Sequence, residues 1–172
     1  LECTYHKYYQ ITGGSMRLDR FIQPKSHDPY DKGRKYPEGI YCPRCQALYH
    51  QGRWRWPDKG AAFREPLLCS ACRRILDRFP AGEIQISGKY LNGHKKEIVN
   101  LIQNVIKEEG SRSPLKKVID FSNKGDRLHV SVTDDHLARR IGEAIHRAYG
   151  GDLAIKYSEG ERFVRLHWHR DA

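Results

Sequence analysis

Four cysteines constrain the fold of this chain more than any other feature. Cys42-Pro43-Arg44-Cys45 and Cys69-Ser70-Ala71-Cys72 are two C-x2-C pairs with 23 residues between them. Each pair can set two thiolates about one tight turn, and two such turns complete a tetrahedral four-sulfur site suited to Zn(II). The stretch around them is poor in aliphatic side chains, and a segment that cannot build a large core needs a staple of this kind to fold. A thioredoxin-like redox motif would require βαβ surroundings that are missing here, whereas an iron–sulfur centre would use the same ligands. Four thiolates leave no open position for substrate or water. The expected metal is therefore a structural Zn(II) held by Cys42, Cys45, Cys69 and Cys72 in a zinc ribbon over residues 40–80. The fifth cysteine, Cys3, stands alone and is expected to take no part.

Charge narrows the partner. The formal net charge is +10, and the stretch from Met16 to Pro80 carries fourteen Lys/Arg against seven Asp/Glu, a surplus of +7. A basic field concentrated in the cysteine-bearing half favours a polyanion. If Arg53 to Trp56 is a strand, Arg53 and Arg55 share one face while Trp54 and Trp56 share the other. Arginine beside aromatics on an exposed strand makes a platform for RNA backbone and bases. Arg73 and Arg74 follow the second cysteine pair and are candidates for the same surface. The tryptophans themselves are expected to pack the ribbon's small core, and Arg44 to offset the negative charge of a four-thiolate zinc; the competing reading leaves Arg53 and Arg55 solvated and gives Arg73 and Arg74 the same offsetting role.

Organisation along the chain follows from turn chemistry. Residues 1–15 read as an N-terminal extension with a Gly13-Gly14-Ser15 hinge, and residues 16–39, rich in Asp, Lys, Pro and Gly, as an extended basic arm. Phe79-Pro80-Ala81-Gly82 marks the boundary to an α+β domain over 81–172. There Glu83–Ser87 alternates as a strand, and a helical stripe runs from His94 to Glu109 with Gly110 as its stop. Lys117–Ser122 and Arg127–Thr133 form a hairpin about Asn123-Lys124-Gly125-Asp126. A second helix spans Asp135–Tyr149, capped by Asp134 or Thr133, and Leu153–Tyr157 with Phe163–Trp168 make a last hairpin. The order β-α-β-β-α-β-β predicts a ferredoxin-like layer, its helices on one face of a mainly antiparallel sheet, with the extra strand at the edge. Arg139 and Arg140 fall off the apolar stripe of the second helix and are expected to extend the RNA-binding surface. Asp134 reads as a cap rather than a catalyst. His167 and His169 share a face of the last strand but have no third ligand nearby to complete a metal site.

Cys42-Pro43-Arg44-Cys45, Gly52-Arg53-Trp54 and the Cys69/Cys72 pair resemble the N-terminal zinc-ribbon region of the large-ribosomal-subunit export adaptors first named for nonsense-mediated decay. The run Val130-Ser131-Val132-Thr133-Asp134-Asp135-His136-Leu137-Ala138-Arg139-Arg140-Ile141-Gly142, followed by Gly151-Asp152-Leu153, is similar to the α+β segment that follows in that family. The layout is closer still to an uncharacterised bacterial zinc-ribbon family that would cover Met16 to Arg170. Gln46 departs from the pattern, because a ribbon knuckle often has Gly there, and the export adaptors' later domains have no counterpart in this sequence. The resemblance implies association with the ribosome or ribosomal RNA, not an export role.

No apolar run approaches the roughly 18 residues of a membrane span, and no charged start leads into an apolar signal segment, so the expected compartment is the cytoplasm. A phosphate-binding loop, dinucleotide fingerprint, nucleophile elbow and H-E-x-x-H are all missing, so the chain is not expected to be an enzyme. Its expected partner is ribosomal RNA or a ribosomal subunit, with no membrane or small-molecule substrate. The alternative is a protein-interaction adaptor with structural zinc and incidental charge, whose capture of a partner would be insensitive to salt.

Overall fold

Alternating burial sets the strands and a one-sided apolar stripe sets the helices. The computed structural model describes residues 8–10, 28–30, 33, 35–158 and 162–172. Most of the expected extension and arm, and the tip of the last hairpin, lie outside the described residues. In chain order the elements are β1 (Tyr8–Gln10), β2 (Leu48–His50), β3 (Arg53–Arg55), α1 (Ser70–Asp77), β4 (Gly82–Ser87) and α2 (Lys89–Arg112). They continue with β5 (Val118–Lys124), β6 (Arg127–Val132), α3 (Asp135–Tyr149), β7 (Asp152–Tyr157) and β8 (Val164–His169).

The fold is mixed α/β. Among the described residues a mainly antiparallel sheet runs in the order β1-β7-β8-β4-β6-β5. Its one parallel pair is β4 with β8, in register from Gly82↔Val164 to Ser87↔His169. Ile84, Ile86, Val130, Leu166 and Trp168 point to one face and pack with Ile98 and Ile102 of α2 and Leu137, Ile141 and Ile145 of α3 in a single buried cluster. The opposite face carries Arg165 and His167, both exposed. The last strand does not lie at the edge, as the sequence suggested. β8 stands between β7 and β4, the two strands that a ferredoxin-like layer would pair directly. Its alternate residues Val164, Leu166 and Trp168 are at most 2% exposed, and only a position with a strand on each side and helices above buries them so completely.

Helix α3 presses closely on this sheet. A Cβ on Gly142 would come within 2.5 Å of Leu166 Cδ2, and one on Gly82 within 2.5 Å of Ala138 Cβ. Asp134 caps α3, its carboxylate accepting the Leu137 N–H at 2.8 Å, and burial raises that carboxyl. Helix α2 is longer than its apolar stripe implied: it starts at Lys89, breaks its regular geometry at His94 (φ −119°, ψ 20°) and runs past Gly110 to Arg112. Ser113 ends it in an extended conformation, because the following Pro114 disfavours helix at the residue before it.

The cysteine-bearing unit docks on the C-terminal end of α2. The Trp56 indole N–H donates to the Gly110 carbonyl at 2.8 Å, and Leu115 packs against the buried cysteines.

Candidate metal centre and the adjoining basic groove

The first cysteine pair is held by a backbone turn. Cys42 N–H donates to the Ala47 carbonyl and Gln46 N–H to the Cys42 carbonyl, both at 2.8 Å. Gln46 takes the left-handed conformation, φ 62°, that glycine would adopt without strain, and its side-chain amide donates to the Pro43 carbonyl at 3.2 Å. The chain then forms the β2–β3 hairpin through Gln51 and Gly52, with Leu48↔Arg55 and His50↔Arg53 in register. The second pair departs from the expected tight turn: Cys69 is the N-cap of α1, its sulfur accepting the Cys72 N–H at 3.4 Å. Ser70 to Asp77 contains helix-compatible residues and no β-branched run, so a helix forms here, and its positive N-terminal end favours thiolates.

Cys42, Cys69 and Cys72 are at most 1% exposed, and Cys45 is half-buried. The four sulfurs lie within 4.8 Å of one another, positioned to bind a metal ion, and Cys45 Sγ is 3.8 Å from Cys69 Sγ. A tetrahedron with Zn–S bonds of about 2.3 Å has S–S edges of about 3.8 Å, so the donor set and its spacing fit zinc. The Cys69 thiol donates toward Cys45 and holds Cys45 down to about 4, with Lys117 adding to the effect against burial. That same bond, and burial, push Cys69 up, while burial pushes Cys72 up. Lys117 Nζ lies 3.3 Å from Cys72 Sγ. Burial opposes its charge, but bonds to Cys45 and Cys72 outweigh that and raise it above the usual lysine range. Lys117 is the cation at the thiolates that sequence reading missed, since nothing links a lysine just before β5 to a cysteine 45 residues earlier. Cys3 lies outside the described residues.

The arginines divide. Arg53 and Arg55 are exposed on β3 and line a groove of about 810 Å³ between the cysteine unit and the end of α2. Lys35, Arg73 and Arg112 also line it, and among the described residues no carboxylate does. Arg73 is half-buried and donates to the Tyr30 carbonyl at 3.1 Å, while Arg112 is paired with Glu108 at 2.6 Å. Trp54 packs edge-on to Tyr49 and contacts Tyr36 on the groove wall. Trp56 is 42% exposed rather than part of a core. Lys35 was expected only as part of the basic arm, and Tyr36 and Arg112 were not singled out in the sequence, because only the docking of distant segments brings them to the groove.

Arg74 and Arg139 do not join this surface. Arg74 is 2% exposed. Its guanidinium is paired with Asp28 at 2.5 Å, donates to the Phe79 carbonyl and lies over the Tyr30 ring, so no phosphate can reach it. Arg139 has an 11% exposed side chain paired with Glu143 one turn on, because its place on α3 leans toward the sheet and not toward solvent. Arg140 remains 49% exposed but contacts Glu109 at 3.3 Å. Buried Glu109 also bonds Lys116, which with Arg140 holds its carboxyl below the usual range. Since Arg112 contacts Glu109 as well, Arg140 connects to the groove rim only through that carboxylate.

His167 Nε2 and His169 Nδ1 both meet Ser87 Oγ, at 2.9 and 3.0 Å. Burial, then His169 and Arg127, lower the His167 pKa. Among the described residues the four cysteines are the one cluster placed to hold a metal. No protein-family model matches the chain, and neither a curated protein nor a solved structure does.

Proposed function

We propose that this chain is a zinc-stabilised RNA-binding protein that associates with ribosomal RNA or a ribosomal subunit. The observation that carries the reading is the groove: Lys35, Arg53, Arg55, Arg73 and Arg112 line it together with aromatic rings and, among the described residues, without a carboxylate. Cations that neutralise phosphates, set beside rings that stack on bases, form the composition of an RNA-binding surface. The metal is a structural Zn(II), since four thiolates close its coordination shell. Its part is to hold the first turn, the hairpin and α1 together so that the groove keeps its shape. The α+β layer is a ferredoxin-like one into which β8 has been inserted, for the remaining strands keep the order β7-β4-β6-β5. The protein acts in the cytoplasm as a binder and not as an enzyme. The resemblance to ribosome-associated zinc ribbons, drawn from the cysteine frame and the Thr133–Gly142 run, supports ribosomal RNA as the polyanion.

The paired change Arg53→Ala, Arg55→Ala tests this. It should weaken RNA binding and ribosome co-sedimentation and reduce the salt slope by about one unit per arginine. Should the variant keep zinc and fold with affinity and slope unaltered, the groove is not the site, and salt-insensitive capture of a protein would make the adaptor reading the better one.

A further inference from the structure

Trp56 differs from the other two tryptophans. Trp168 is fully buried and Trp54 is packed among Tyr36 and Tyr49, but among the described residues no aromatic ring stacks on Trp56. It keeps 42% of its surface exposed, so its ring is open to a flat ligand. Its indole is held by the N–H bond to the Gly110 carbonyl at the end of α2, so the ring is fixed at its edge. Trp56 borders the basic groove and also a second, shallow hollow of about 500 Å³ on the α2–β5 side, to which Ile106, Val118, Lys107 and Lys116 contribute.

We infer that Trp56 is a stacking site for one unpaired base, and hence that the RNA bound in the groove is single-stranded there. This rests on the RNA reading above and adds what kind of RNA fits. A ring that is pinned, open to solvent and flanked by cations offers what a splayed-out base needs: a flat apolar surface with charges for the phosphates on either side. The adjoining hollow is apolar at its floor through Ile106 and Val118, with exposed Lys107 and half-buried Lys116 at its margin. A base lying on the indole would cover apolar surface there while its sugar-phosphate follows the cations. In a duplex the bases stack on one another and their faces are closed to the indole, so Arg53 and Arg55 would be left with phosphate contacts alone.

The test uses the full zinc-loaded chain, a short single-stranded RNA and the same sequence closed into a blunt duplex. The single strand should bind at least about tenfold more tightly than the duplex. Trp56→Leu, which keeps apolar bulk but removes the ring, should lower single-strand affinity about tenfold and leave both duplex affinity and the salt slope unchanged. Trp56→Phe, which keeps a ring but loses the bond to Gly110, should retain most of the single-strand affinity. Equal loss in Trp56→Phe and Trp56→Leu would overturn the stacking role and assign Trp56 to docking alone. An unchanged Trp56→Leu, or tighter binding of the duplex, would overturn it too. If the unaltered chain binds neither RNA, the RNA reading itself has failed, an outcome separate from all of these.

Discussion

The guanidinium of Arg74 lies between the Asp28 carboxylate, the Phe79 carbonyl and the Tyr30 ring, so its charge serves the interior of the cysteine unit. Removing one partner of a buried pair leaves the other charge desolvated and alone, which typically costs about 3 to 5 kcal/mol. Arg74→Ala should therefore lower the midpoint of chemical unfolding sharply, whereas Arg53→Ala, at an exposed position, should leave it nearly unchanged. Equal effects of the two on unfolding would contradict the placement of Arg74. In the sequence Arg73 and Arg74 are indistinguishable neighbours after Cys72; which of them turns inward depends on Asp28 and Tyr30, more than forty residues away. Local spacing identified the four cysteines that cluster as a candidate metal centre, because each pair is its own signal. It could not separate buried from presented arginines, because that is decided by long-range partners.

Among the elements, α3 and β8 are fitted through glycine. With Gly142 set against Leu166 and Gly82 against Ala138, an added methyl must displace side chains in the core, and overpacking of this kind costs about 1 to 3 kcal/mol. Gly142→Ala should destabilise the layer by that order in thermal or denaturant melts, even though alanine is the better helix former. A stabilised Gly142→Ala would mean that the helix stands farther from the sheet than described. The elements of this layer were legible almost residue by residue: the alternation of Glu83–Ser87 and Phe163–Trp168 and the stripe of Leu137, Ile141 and Ile145 fix strand and helix without tertiary information. The ends of α2 and the place of β8 were not. Gly110 is tolerated inside a helix whose stop is set by Pro114, and a strand's alternation states that one face is buried but not which neighbours flank it.

At the scale of the molecule, two clusters of buried side chains are distinct among the described residues, one around the cysteines and one between sheet and helices. The tryptophans report on them separately, Trp54 on the first and Trp168 on the second, while Trp56 sits where the cysteine unit meets α2. Stripping the metal with a chelator should abolish the folded environment of Trp54 and Trp56 while Trp168 stays buried, since a small unit folded around its ligands loses its fold with the metal. Variants that each keep a single tryptophan would read this by fluorescence. Simultaneous loss of all three signals would show that the Trp56–Gly110 and Lys117–Cys72 contacts weld the two into one cooperative body. The parallel seam between β4 and β8 has a consequence for the time at which each part can form. A chain made from its N-terminus has all four cysteines and α1 in hand by Asp77, before β4 is even begun, but after Ser87 β4 must wait through 76 further residues for its parallel neighbour β8. On the zinc reading proposed above, metal capture thus belongs early in synthesis. The sheet closes only when its central strand is delivered, and until then Ile84 and Ile86 lie along an open seam that a nascent chain must keep from straying into other pairings.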